Sequence, residues 1–129
     1  MAKLKNLAHV GVFVDDIERS KKFYQDLLGF SVTWECDQPD NVKIAFVQNG
    51  SVILELVQFP KPLNRSDGVV DHIAIAVEDI ESIKKTLDEK GIIFESNEIV
   101  YGKGVFENDS KWILFRGPDN EHLELTEVL

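Results

Sequence analysis

An internal repeat is the feature that most constrains what this chain can fold into. The stretch Leu7–Phe30 carries an alternating apolar run, two aspartates, a helical pattern and a stopping glycine, and a second copy starts at Val70. Laid side by side, His9 falls on His72, Val14 on Val77, Asp16 on Asp79, Ile17 on Ile80, Glu18 on Glu81, and Lys21-Lys22 on Lys84-Lys85. A repeat this long, present twice, implies two copies of one supersecondary unit rather than a solenoid of short ones. Each copy places a histidine on its opening strand.

The elements follow from periodicity and punctuation. In the first strand Ala8, Val10, Val12 and Val14 form one apolar face, and Leu7, His9, Gly11 and Phe13 form the other. The first face packs under a helix; the second, with its histidine and glycine, is suited to lining something. Asp16 and Asp79 are the expected helix N-caps, with Gly29 and Gly91 as terminators. In the first module Phe23, Tyr24, Leu27 and Leu28 form the apolar stripe; in the second Ile80, Ile83 and Leu87 do. Ser31–Cys36, Lys43–Gln48 and Ser51–Phe59 read as strands, with a hairpin turn at Asn49-Gly50. In the second copy Ile92–Glu95 reads as a short strand. Ser96–Ser110 is a polar segment with room for one weak strand. Lys111–Arg116 and Glu121–Glu127 form a hairpin across Gly117–Asn120. Pro60–Gly68 is a linker by composition. The expected architecture is α+β, a βαβββ unit used twice, with modules at 6–59 and 69–129 inside a single domain spanning 1–129.

The hairpins align as well. Ile44 falls on Ile113, Phe46 on Phe115, and Leu54-Glu55-Leu56 on Leu123-Glu124-Leu125. If the leucines pack under the helices, Glu55 and Glu124 face the same side as His9 and His72. A carboxylate within an apolar strand is costly unless it is paired, hydrated or bound to metal. Two imidazoles and two carboxylates suit a divalent first-row ion (Ni, Co, Zn, Mn or Fe), with the remaining positions left to water or substrate. The four expected metal ligands are therefore His9, Glu55, His72 and Glu124. Glu124 or Glu55 would serve as catalytic acid and base. Phe13, Lys103 and Trp112 are candidates for the substrate pocket, Lys103 because Gly102-Lys103-Gly104 offers a cation and free amides to an anionic group. His122 shares a strand face with Glu124 and points either to the pocket mouth or to solvent.

Composition narrows the partners. The 129-residue chain has a formal net charge of −9, which argues against nucleic acid or an acidic membrane surface and fits a small-molecule ligand. The single cysteine, Cys36, excludes an intrachain disulfide framework and suits a reducing cytoplasm. No apolar run is long enough for a signal sequence or a membrane span.

The motif His9-x4-Val14-x-Asp16-Ile17-x2-Ser20-x2-Phe23-Tyr24-x3-Leu28-Gly29-Phe30, with Phe115-x2-Pro118-Asp119-x4-Glu124-Leu125, resembles the vicinal oxygen chelate superfamily over essentially the whole chain. That group holds glyoxalase I, methylmalonyl-CoA epimerase, extradiol dioxygenases and fosfomycin and bleomycin resistance proteins. The resemblance implies paired βαβββ modules whose mixed, strongly curved sheets form a cleft. His9, Glu55, His72 and Glu124 match the four metal positions of glyoxalase I, whereas the epimerase pattern usually has glutamine where Glu55 stands. The implied activity is that of a metal-dependent lyase or isomerase that removes a proton next to a polarised carbonyl. The alternatives are a non-catalytic binding protein of the bleomycin-resistance type and an epimerase of the methylmalonyl-CoA type. Glyoxalase I commonly carries an arginine at the position of Phe13 to grip the glutathione carboxylate, and a phenyl ring cannot pair with an anion. Relatives with this module plan are commonly dimers, so a symmetric homodimer is expected, its metal held within one chain or shared across the interface.

Overall fold

The computed structural model describes residues 2–104 and 108–129. The chain divides into two compact units, residues 1–64 and 65–129. The first unit runs β1 (Val10–Val14), α1 (Ile17–Leu28), β2 (Ser31–Gln38), β3 (Val42–Asn49) and β4 (Val52–Gln58). The second runs β5 (Ile73–Ala76), α2 (Ile80–Glu89), β6 (Val100–Gly102), β7 (Ser110–Arg116) and β8 (His122–Val128). Each unit is one mixed four-stranded sheet with a helix, and the strand orders are β1-β4-β3-β2 and β5-β8-β7-β6. The first and last strands of each unit pair in parallel, and the other pairs are antiparallel. Neither sheet closes on itself. The βαβββ unit read from the repeat is present in both halves.

The helices start where the sequence signals them. Asp16 accepts a hydrogen bond from the Arg19 amide at 3.1 Å, and Asp79 from the Ser82 amide at 3.3 Å. Both aspartates thereby satisfy a donor that the helix itself leaves unpaired. At the other end of α1, Gly29 adopts the left-handed conformation (φ 71°), which a side chain disfavours, and Asn49 donates to the Leu28 carbonyl at 3.0 Å. Tyr24 is fully buried and packs edge-on against Phe23 and Phe30. The leucines beside each glutamate behave as expected: Leu54, Leu56, Leu123 and Leu125 are all buried.

A second capping device was not apparent from the repeat alone. Gln58 Oε1 accepts from the Ile17 amide at 2.8 Å. At the repeat-equivalent position, Glu127 accepts from the amides of Asp79 and Ile80 at 3.0 and 3.1 Å. In both units the last strand therefore reaches back to the N-terminus of the helix, where acceptors and negative charge are favoured.

Three expectations need correction. His9 and His72 are not on strands: the parallel ladders begin at Val10, opposite Leu54, and at Ile73, opposite Leu123, so each histidine stands one residue ahead of its strand. Ile92–Glu95 is not a strand. The Ile92 amide closes the end of α2 by bonding to the Leu87 carbonyl, and only an isolated bridge between Phe94 and Phe115 follows. The fourth strand of that sheet is instead β6, within the polar segment 96–110, of which residues 105–107 lie outside the described residues. Finally, the β3–β4 turn is Gly50-Ser51, since Asn49 pairs with Val52. Gly50 (φ 58°) takes the first turn position, as a type II′ turn requires.

Because Gln58 and Glu127 satisfy donors that would otherwise be orphaned, Gln58→Ala and Glu127→Ala should each destabilise the protein by about 1 kcal/mol. Urea titration followed by far-ultraviolet circular dichroism would measure this; unchanged midpoints would refute the capping role.

Candidate metal centre

Parallel pairing of the first and last strands sets the site in each unit. Gly11 lies opposite Glu55, and Ala74 lies opposite Glu124. Side chains alternate along a strand, so a residue two positions ahead of Gly11 or Ala74 projects to the face that carries the glutamate. His9 and His72 occupy those positions. Small residues opposite the glutamates keep the space clear: a Cβ built on Gly11 would sit 3.8 Å from Glu55 Oε1, an ordinary contact. The result is one His/Glu pair per unit, His9 Nε2–Glu55 Oε1 at 3.6 Å and His72 Nε2–Glu124 Oε2 at 3.2 Å. The glutamate side chains are 24% and 14% exposed and the histidines 40%, so the carboxylates lie deeper than the imidazoles.

These pairs fit a metal. Two donor atoms bound at about 2.1 Å to one first-row ion stand about 3.0–3.4 Å apart in adjacent positions. The separations of 3.6 and 3.2 Å are close to that range. One of them has a further feature. His72 Nδ1 is within hydrogen-bonding distance of Asp71 Oδ2, at 3.0 Å; in the neutral tautomer with its hydrogen on Nδ1, Nε2 turns a lone pair towards Glu124. A neutral Nε2 lone pair facing a carboxylate oxygen at 3.2 Å is an arrangement that a cation placed between the two atoms would stabilise.

The second unit surrounds its pair with polar partners that the first unit cannot supply. Thr126 is buried and donates its hydroxyl to Glu124 Oε1; Val57 stands at the equivalent place. Asp71 has Ala8 as its counterpart. The hydrogen bond to His72 holds the Asp71 carboxyl below its ordinary value, against the opposing effect of desolvation. His122 is largely buried. Its side chain is 11% exposed, with Asp71 Oδ2 3.3 Å from Nδ1 and Glu95 Oε1 2.9 Å from Nε2, and neither approach is aligned as a hydrogen bond. Donor atoms of Asp71, His72 and His122 all lie within 4.8 Å of one another, a second grouping of ligand-type side chains that uses the Nδ1 side of His72. Arg116 anchors the segment leading into β5. It holds Asp67 with two hydrogen bonds of 2.6 and 2.9 Å and Glu95 with a third of 3.1 Å. None of Asp71, Thr126, Arg116 or Asp67 was singled out from the sequence, although comparison of the two copies would have exposed Asp71 against Ala8 and Thr126 against Val57.

The pocket candidates are placed as follows. By register Phe13 shares a face with Gly11, and hence with Glu55; it is 45% exposed and packs edge-on against Phe59. Trp112 pairs with Thr126 and shares the Glu124 face. A Cβ on Gly102 would fall 2.0 Å from the Trp112 ring, so the indole occupies the space that glycine leaves. Lys103 is exposed. The neighbouring Gly104 amide donates to Asp109 at 3.1 Å, and Asp109 also accepts from the Tyr101 hydroxyl at 2.6 Å.

Residues 6–125 match the family model of the glyoxalase/bleomycin resistance protein/dioxygenase superfamily. The chain belongs to this superfamily. The uncharacterized protein YwkD of Bacillus subtilis is 32% identical over 96% of this chain and 98% of its own length. Mitochondrial methylmalonyl-CoA epimerase of Mus musculus is 32% identical over 78% of this chain and 61% of the epimerase. The solved structure of the trypanothione-dependent glyoxalase I of Leishmania major superposes with a TM-score of 0.78 at 25% identity, covering 96% of this chain and 87% of that one. Among the described residues no helix is long and apolar enough to cross a membrane.

The Asp67–Arg116 pair yields a pH prediction. The hydrogen bonds from Arg116 lower the Asp67 pKa from its ordinary 3.8, so ionised Asp67 favours the folded state. That contribution is complete above the unfolded-state pKa and is lost as pH falls through the lower folded value. The urea midpoint of the wild type should therefore drop towards that of Asp67→Asn as pH falls below 3.8, and exceed it at neutral pH. Parallel midpoint curves for the two proteins across this range would contradict the assignment.

Proposed function

We propose that this chain is a divalent-metal-dependent lyase or isomerase of the glyoxalase I type, acting on a small substrate with adjacent oxygens. The observation that carries the reading is the duplicated pair: His9 with Glu55 and His72 with Glu124, at 3.6 and 3.2 Å and on a half-buried face. His9, Glu55, His72 and Glu124 would hold the ion, within one chain or shared between two chains of a homodimer. A bound divalent ion supplies stabilisation of negative charge that develops on a substrate oxygen. The chain's own residues do the rest. Glu124 or Glu55 takes the proton from the carbon beside the substrate carbonyl and returns it to the neighbouring carbon or the other face. Phe46, edge-on to His9 at 5.5 Å, and Phe13 would form an apolar wall that limits water near the carboxylates. Lys103 and Trp112 would contact the remainder of the substrate. Phe13 provides no anion grip, which disfavours glutathione as carrier. The single Cys36 and the absence of a membrane-length apolar run accord with work in the cytoplasm.

The similarity to methylmalonyl-CoA epimerase favours one second reading, an epimerase using the same proton chemistry. The two differ in outcome: the epimerase returns the proton to the carbon it came from, whereas the lyase or isomerase moves it to the adjacent one.

Metal analysis of freshly purified protein, followed by proton–deuterium exchange on a panel of α-hydroxycarbonyl compounds and acyl thioesters, tests both. Glu124→Gln should weaken metal binding and lower turnover by at least about 10²-fold. Retention of metal and activity would sink the ligand assignment. Glutathione hemithioacetal should be a poor substrate; efficient lactoylglutathione formation would overturn the reading of Phe13. Sedimentation should show a dimer, and a monomer with metal and activity intact would exclude a shared site.

A further inference from the structure

The two His/Glu pairs are built on the same backbone register but differ in what stands behind the histidine. Ahead of His9 is Ala8, which has no acceptor on its side chain. Ahead of His72 is Asp71, whose Oδ2 is a hydrogen-bonding distance of 3.0 Å from Nδ1. The second imidazole near this carboxylate, His122, is farther, at 3.3 Å, and not aligned for a bond. A neutral imidazole has one N–H and one lone pair, and here each nitrogen faces a carboxylate. Asp71 forms the hydrogen-bonding contact with Nδ1 at 3.0 Å, whereas Glu124 faces Nε2 at the longer 3.2 Å, which favours the hydrogen on Nδ1. Nε2, the nitrogen that faces Glu124, is then left as the lone-pair atom. Without Asp71 the ring is free to place its hydrogen on Nε2 and donate it to Glu124, an arrangement that must be undone before Nε2 can bind a cation.

We infer that Asp71 is a positioning residue that fixes the tautomer and orientation of His72, so that the second unit presents a prepared ligand arm while the His9 arm does not. This rests on the metal reading above. Asp71 is exposed and contributes nothing to the packed core, so its function is separable from folding. Ala8 at the equivalent place shows that the backbone accepts alanine there.

The test uses the full chain with Asp71→Ala and Asp71→Asn. In metal-free protein at about pH 8, where ordinary imidazoles are neutral, nitrogen-15 NMR should show His72 with its hydrogen on Nδ1. Asp71→Ala should abolish that preference, while Asp71→Asn, which keeps an acceptor oxygen, should retain most of it. Zinc titrated into the same proteins should bind on the order of tenfold more weakly to Asp71→Ala, with the asparagine variant between it and the wild type. The thermal midpoint of metal-free Asp71→Ala should fall only slightly, because the hydrogen bond it removes is solvent-exposed. A wild-type His72 with its hydrogen on Nε2, or an unchanged tautomer in Asp71→Ala, would overturn the inference. Loss of zinc affinity matched by loss of metal-free stability would overturn it too, since that marks a structural role. If the wild type binds no divalent metal, the proposed function fails, and the tautomer measurement still decides the role of Asp71.

Discussion

Each unit depends on the parallel ladder between its first and last strands. Parallel pairing fixes which residue of the first strand lies opposite the glutamate, and that residue is Gly11 in one unit and Ala74 in the other. A one-residue slip would turn both leucine pairs outward and both glutamates into the core, so burial of Leu54, Leu56, Leu123 and Leu125 pins the register. Hydrophobic burial thereby positions a polar site that it does not itself touch. The histidines stand just outside the ladder, free of its backbone constraints yet held within reach of the carboxylates.

Much of this was legible in the sequence because it rests on periodicity. Alternation placed Glu55 and Glu124 opposite their flanking leucines, helical spacing found α1 and α2, and Asp16 and Asp79 were readable as caps. What the pattern missed depends on contacts between residues far apart in the chain. Ile92–Glu95 has strand-like composition, but its first amide is used to end α2, and its hydrogen bonds to β7 amount to an isolated bridge. Val100–Gly102 is too short to signal itself, and its Gly102 leaves the space that the Trp112 ring, on the partner strand, occupies. The start of each ladder, one residue after the histidine, is set by the partner strand and is invisible in the first strand alone.

The duplicate units have diverged where chemistry rather than packing is concerned. Their buried positions correspond closely along β4 and β8. The polar residues do not: Asp71, His122 and Thr126 have Ala8, Ile53 and Val57 as counterparts. The first unit surrounds its histidine with an aromatic neighbour, Phe46, and the second with a carboxylate and another imidazole. A repeated scaffold thus carries one apolar and one hydrogen-bonded ligand environment, and the two histidines meet different electrostatic surroundings.

The back-reaching caps Gln58 and Glu127 have a consequence for how each unit opens. The helix start and the last strand are separated in sequence by 41 residues in one case and 47 in the other, yet share hydrogen bonds. Fraying of the last strand therefore releases the helix N-terminus, and melting of the helix exposes an acceptor on the strand. Such coupling favours cooperative opening of the whole unit over peeling of a single element. In amide hydrogen exchange, the first turns of α1 and α2 would share the protection of β4 and β8 rather than exchange early as free helix ends do.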